Sequence, residues 1–376
     1  MRGFDYSKLS KMKWDNEILL LCSKIHECKG RQDLFVHQKP AQLDRLIEVA
    51  KIQSTESSNR IEGIVTTSTR IKKLVEEKTA PKNRDEKEIL GYRNVLNTIH
   101  DSHEYISVSK NHILQLHRDL FQPAGISHGG SFKNVQNYIK ETKPDGTEVV
   151  RFTPLAPYET PEAIEMICNS FRDTLAMETV DSLILIPAFI CDFLCIHPFN
   201  DGNGRTARLM SGYILDFYGY GFNGIGSLEE YFAYDPDEYY ESLQMGLPAL
   251  YYSGRENPPH PEIWVNYFLR MVELYSQRVY ELSKGVQEDD LDGSLSYLNA
   301  KEKDLLVFLL KKKMLEFTPI DVSKMLGVTN KTIINRCVKL TNNGFLVPNI
   351  VSQRIRSYSL SEFAKRNDKK ILSKIG

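Results

Sequence analysis

The residues best suited to chemistry stand together in one string, His197-Pro198-Phe199-Asn200-Asp201-Gly202-Asn203-Gly204-Arg205-Thr206-Ala207-Arg208. Histidine exchanges protons near neutral pH, so His197 is a candidate general base. The Gly202-Asn203-Gly204 turn lets backbone approach a ligand closely, because two of its residues lack Cβ. A helix opening there offers free N–H groups and a positive dipole end to an anion. Arg205 and Arg208, three apart, share one face of its first turn and would grip further phosphates. Asp201 beside the turn can hold the divalent cation that a polyphosphate brings. This set describes phosphoryl or nucleotidyl transfer, in which positioning and charge neutralisation do most of the work. The string is not a P-loop, for it lacks Gly-Lys-Ser/Thr. It is not a calcium loop either, because Arg205 stands at an oxygen-ligand position. Zinc on Cys191, Cys195 and His197 is the weaker reading, since the two cysteines fit an apolar helix face.

Two helices must position this loop. Residues 183–196 form an apolar run, opened by Asp181 or Ser182, that delivers His197 to its end before Pro198 stops it. After the glycine turn, Thr206, Ala207, Leu209, Met210, Tyr213, Ile214 and Leu215 continue at helical spacing. Helical patterns also run over 15–28, 41–53, 84–101 and 109–121. Residues 132–152 break the pattern. Tyr138-Ile139 and Val149-Val150-Arg151-Phe152 flank an Asp145-Gly146 turn, which predicts a β-hairpin, and Pro154, Pro157 and Pro161 follow it.

The 376 residues predict two or three domains and a buried core without disulfide or metal staples. A net charge of −1 points to no particular partner. The charge is uneven, however. Lys301 to Gly376 carries 16 Lys+Arg against 6 Asp+Glu, so a basic terminal module follows an acidic body. The six cysteines form no CxxC pair and suggest no disulfide framework. The first residues lack the apolar core of a signal peptide, and Leu183 to Ile196 is too short to span a bilayer. The expected setting is cytoplasmic and reducing.

The acidic, turn-rich run from Gln287 to Ser294 reads as a linker. After it come a helix over 300–313, a short one over 319–326, a Gly327-Val328-Thr329 turn and a helix capped by Thr329 that Gly344 ends. Residues 345–360 then alternate like a wing. This order predicts a winged helix-turn-helix. Lys331, Arg336, Lys339, Arg354 and Arg356 are its candidate DNA-phosphate contacts, with protein docking as the rival.

The string at 197–208 resembles the signature of the Fic family, His-Pro-Phe-x-Asp/Glu-Gly-Asn-Gly-Arg-x-x-Arg, at every specified position. The resemblance implies an all-helical fold and transfer of AMP from ATP, with magnesium, to a hydroxyl of a target protein. It implies His197 as the base and Asp201 as the magnesium ligand. Gly202, Asn203 and Gly204 would form the anion hole, Arg205 would hold the β-phosphate and Arg208 the γ-phosphate, and Phe199 would be a core anchor. The hairpin corresponds to the family's flap, with Asn137, Tyr138, Ile139 and Lys140 lining nucleotide and target; Lys133 stands where the family often has Arg. Tyr239-Tyr240 resembles its paired aromatic motif, and Asp235 its adenine-side position.

Upstream, Ser58-Asn59-Arg60-Ile61-Glu62-Gly63 resembles the family's inhibitory Ser/Thr-x-x-x-Glu-Gly/Asn motif. A carboxylate at a helix end capped by glycine can pair with an arginine of the anion site. Glu62 on Arg208 would occupy the γ-phosphate grip, with Ser58 fixing that helix. The sequence thus predicts a mostly α protein: an N-terminal helical region over 1–100, a Fic core over 101–284, a linker over 285–298 and a winged module over 299–376. The expected function is autoinhibited protein AMPylation with ATP and a Ser, Thr or Tyr hydroxyl of a protein as partners, no membrane, and DNA or a homodimer left open. Its rivals are removal of AMP from a modified protein and a nucleotide-sensing DNA-binding regulator.

Overall fold

The structure is a computed structural model that describes residues 3–32, 40–143, 145–221, 224–247, 253–287, 291, 295, 297–351 and 354–375. Most of the acidic run expected as a linker lies outside these residues, as do the side chains of Arg354 and Arg356. Two compact units result: Met1–Gly30 with Ile47–Val279, and Arg31–Leu46 with Tyr280–Gly376.

Up to residue 287 the chain is helical: α1 (Asn16–Gln32), α2 (Pro40–Ile61), α3 (Ser68–Val75), α4 (Arg84–Ser102), α5 (Lys110–Phe121), α6 (Thr160–Ala176), α7 (Ser182–Ile196), α8 (Asn203–Phe217), α9 (Leu228–Phe232), α10 (Pro236–Gln244) and α11 (Pro261–Gln287). The expected boundary at residue 100 falls inside α4. At the centre is α7, with Leu183 to Ile196 buried on every side, as an all-apolar helix must be. Asp181 is its N-cap, accepting from the Leu183 N–H, which settles the choice between Asp181 and Ser182. Pro187 sits inside it, and Trp264 Nε1 of α11 donates to the Pro187 carbonyl at 2.8 Å. Helices α6 and α8 flank α7, and α4 and α5 pack against α8.

Between α5 and α6 the chain forms the hairpin, β1 (Ile139–Thr142) against β2 (Glu148–Phe152), antiparallel with Lys140 opposite Val150 and a bulge after Ile139. Asp145 and Gly146 turn it: the Asp145 carboxylate accepts from Thr147, and Gly146 has φ +82°.

The second unit runs α12 (Ala300–Lys311), β3 (Glu316–Phe317), α13 (Pro319–Leu326), α14 (Asn330–Asn342), β4 (Leu346–Val351), β5 (Arg354–Leu360), α15 (Glu362–Arg366) and α16 (Asp368–Ile375), with sheet order β3-β5-β4. Asn299 and Glu302 form a capping box on α12, Thr329 caps α14, and Gly344 beyond α14 has φ +78°. Leu306, Leu309, Val322, Ile333, Leu340 and Phe345 form its dry core. The two C-terminal helices were not foreseen in the sequence.

Candidate active site

The end of α7 presents His197 and the start of α8 presents the glycine turn. His197 terminates α7 in the left-handed region, φ +50°, with its N–H donating to the Phe193 carbonyl. A non-glycine residue at positive φ is strained and is held there by its surroundings. Lys133 supplies part of that hold. Its N–H donates to the Pro198 carbonyl, and its buried Nζ donates to the Ile196 carbonyl and Asn137 Oδ1, both at 2.9 Å. Asn137 Nδ2 in turn donates to the His197 and Phe199 carbonyls. Asn137, expected beside nucleotide and target, and Lys133 thus have polar atoms engaged by the loop backbone. Burial pulls the Lys133 ammonium down to about 7. Burial, with Lys133 next, pulls His197 down to about 4, so its ring is neutral at pH 7. A backbone hydrogen bond at Leu194 works the other way but does not offset the burial.

Gly202 caps α8 at φ +78° with no side-chain hydrogen bond to the helix start. A Cβ there would lie 2.6 Å from the Phe121 ring, so only glycine fits. Asn203 turns back instead, accepting from the Phe199 N–H and donating to its carbonyl, both at 2.9 Å. The first N–H groups of α8 are left to an anion. Asp201 is half exposed, and its Oδ1 accepts from the Gly202 N–H. Beneath the loop lies His117 of α5, which the sequence reading missed. Its ring stacks on Phe199 with centroids 3.6 Å apart, Nδ1 accepts from the Gly130 N–H, and Nε2 donates to the Asp201 carbonyl. Burial pushes it down to about 4, so it stays neutral and can serve both partners. A histidine on the buried face of α5, beside Ile113, Leu116 and Leu120, is the signal that could have found it.

The two arginines, one turn apart on α8, take different partners. Arg205 is buried, its Nη1 2.9 Å from Glu88 of α4 and its guanidinium over the Phe121 ring. Arg208, also buried, turns to the end of α2. Its Nε donates to Ser58 Oγ at 2.8 Å, and Nη2 donates to the Ser58 carbonyl at 3.0 Å and Glu62 Oε1 at 2.6 Å. Side-chain packing decides this split, for Glu88 and Glu62 approach α8 from different helices. The Glu62 carboxylate also overlies the helix start: a Cβ on Gly204 would lie 2.2 Å from Glu62 Oε1. Glu62 thus sits where an anion would sit, in a turn that ends at Gly63, φ +72°.

Tyr239 of α10 is buried. Burial raises its hydroxyl pKa while Arg208 lowers it, so the two are neighbours. Tyr240 packs edge-on against it at 5.2 Å and feels Glu62. Asp235, expected beside adenine, is the N-cap of α10, its Oδ1 accepting from the Glu238 N–H at 3.0 Å. Tyr138 and Ile139 are exposed on the hairpin, and Lys140 pairs with Glu148 at 2.5 Å.

A proton acceptor, a free helix start, an arginine and an acidic plug converge here, and comparison with known proteins points the same way. Residues 107–215 match the model of the Fic/DOC family, so the chain carries a Fic domain. Among curated proteins it is similar to "Protein adenylyltransferase Fic" of Nematostella vectensis, 28% identical over 46% of this chain and 39% of that protein. It is likewise similar to "Protein adenylyltransferase Fic" of Drosophila grimshawi, 29% identical over 49% of this chain and 37% of that one. The matches thus span well under half the length of these relatives. Among solved structures, a Fic family protein from Desulfovibrio desulfuricans G20 aligns over 93% of this chain and 98% of its own, with TM-score 0.59 and 17% identity. A Fic domain containing signaling protein from Bacteroides thetaiotaomicron aligns over 70% and 97%, with TM-score 0.57 and 21% identity. These likenesses establish the helical Fic fold. Among the described residues no helix is long and apolar enough to cross a membrane.

Proposed function

We propose that the chain transfers AMP from ATP to a hydroxyl of a target protein and that Glu62 holds this activity back. The observation that carries the reading is the Glu62 carboxylate lodged over Gly204 and on Arg208, in the seat of an anionic ligand. The names of its adenylyltransferase relatives support AMP as the group moved.

In the transfer, the α8 N–H groups hold the α- and β-phosphates and Arg208, once released by Glu62, the γ-phosphate. Neutral His197 accepts the proton of the target hydroxyl. The hydroxyl oxygen bonds to the α-phosphorus as the bond to the bridging oxygen breaks, and pyrophosphate leaves. Arg205, held by Glu88, braces the turn beside Asp201. The half-exposed Asp201 carboxylate beside a helix start fits a divalent cation that arrives with a polyphosphate and takes its other ligands from phosphate and water. Asp201 would hold magnesium, which neutralises phosphate charge when bound. Exposed Tyr138 and Ile139 offer the hairpin edge to a target strand.

The decisive experiment incubates wild type, His197→Ala and Glu62→Gly with ATP, magnesium and a cell lysate as target source, and reads intact and target mass. Transfer should rise tenfold or more in Glu62→Gly and fall by about 10²–10⁴ in His197→Ala, the usual worth of a general base. No added AMP in any variant would sink the reading.

For the second unit, Lys331, Arg336 and Lys339 on α14 make duplex DNA a candidate partner, whereas exposed Ile334 and Val338, one turn apart on the same helix, suit a protein. A salt-dependent gel shift with duplex DNA decides for DNA, and its absence decides against it.

A further inference from the structure

Glu229, at the start of α9, has no part in the transfer described above, yet it is 5% exposed and pairs with no cation among the described residues. A buried carboxylate without a counter-charge is costly unless hydroxyls or N–H groups satisfy it. Three hydroxyls do so. Ser54 Oγ donates to its Oε2 at 2.8 Å, Ser227 Oγ to the same oxygen at 3.3 Å, and Tyr92 OH to its Oε1 at 2.9 Å.

Two of these donors lead to the Glu62 site. Ser54 lies four residues before Ser58 and eight before Glu62, so the three recur at helical spacing along one face of α2 and its last turn. Tyr92 of α4, fully buried, is the second link. Its hydroxyl donates to Glu229 and also feels the charge of Arg208. Ser58 Oγ in turn accepts from Arg208 Nε. Arg208 with Ser58 on one side, and Tyr92 with Glu229 on the other, thus lie buried around the end of α2.

We propose that Glu229 is the remote anchor of the Glu62 brake. Through Ser54 it pins α2 one turn before Ser58, whose hydroxyl and carbonyl position Arg208. This rests on the reading of Glu62 as an inhibitory group. An incoming γ-phosphate then has to displace Glu62 from a helix end that Glu229 ties down through Ser54. Loosening the far point releases the brake without touching the nucleotide site. Glu229 is a positioning residue, and its effect must vanish when Glu62 is gone.

The test uses the full chain with Ser54→Ala and Glu229→Gln, each alone and combined with Glu62→Gly. It measures AMP transfer by mass and amide hydrogen exchange over residues 47–62. Each single variant should raise transfer about fivefold, the worth of one buried hydrogen bond, and speed exchange in α2 by a similar factor. Neither should change transfer in the Glu62→Gly background. Unchanged transfer and exchange in Ser54→Ala would overturn the anchor, as would an equal gain with and without Glu62. Ser54→Ala removes one oxygen and carries the test even if Glu229→Gln fails to fold. If Glu62→Gly itself transfers nothing, the brake reading falls. Exchange over 47–62 then still reports whether Glu229 holds α2, and no change there overturns that as well.

Discussion

His197 and His117 are kept neutral by the same force, burial, but for different work. In the proposed transfer His197 accepts a proton, whereas His117 is a one-donor, one-acceptor bridge between Gly130 and Asp201. The sign of the pH effect follows. A histidine at 6.5 when unfolded and about 4 when folded leaves the unfolded chain with the extra proton between those values. Its contribution to stability is whole above pH 6.5 and lost as pH falls toward 4. For His117 that loss is on the order of 3 kcal/mol. Urea unfolding of wild type and His117→Gln at pH 7.5 and 4.5 checks it. The variant should lose less stability on acidification, and an identical pH slope in both would refute the account. The residues that carry the motif were legible because they are contiguous. Glu88, His117, Tyr92 and Glu229 were not, because they reach the site from three helices away from the loop and carry no local signature.

The apolar run of α7, the glycine start of α8 and the Asp-Gly hairpin could all be read from periodicity and turn chemistry. The hairpin's outward groups could not, since they depend on register. Lys143 and Thr147 bond across the turn, so alternation leaves Lys140 at a non-bonded position opposite Val150, with its N–H facing the open edge of β1. If target chains add as a strand there, Lys140→Pro removes a donor the target needs while sparing the pairing with β2. Target modification should fall tenfold or more with ATP affinity unchanged, and Lys140→Ala, which removes only the ion pair with Glu148, should fall less than twofold. Equal losses in both variants would assign the effect to the side chain instead.

At the scale of the whole chain, the molecule divides into two compact units. The second unit buries Leu291, Leu295 and Leu298 together with Leu306, Val322, Phe345 and Ile371. A core of its own predicts that residues 291–376 fold alone, with a cooperative thermal transition and a stability of roughly 3–5 kcal/mol. Circular dichroism on that fragment tests this, and a flat melt without helical signal would show that the unit needs the rest of the chain. The shift from acidic to basic composition at this point marked the division in the sequence, because charge is countable without coordinates.

The order of residues alone determined the helical class, the hairpin and the loop from His197 to Arg208. Short-range physics governs all of these: helical spacing, glycine turns, caps, and a contiguous motif. The pairing of Glu62 with Arg208 was an expectation from the family resemblance. Only the tertiary structure decided that Arg205 turns inward to Glu88 while Arg208 turns to Glu62, that Asn137 and Lys133 brace the loop backbone, and that Asp235 caps a helix. It alone joined Ser54, Tyr92 and Glu229 into one buried network. Those outcomes depend on which side chains meet across helices far apart in the chain, and in a dry interior each polar group takes whichever partner the packing brings within reach.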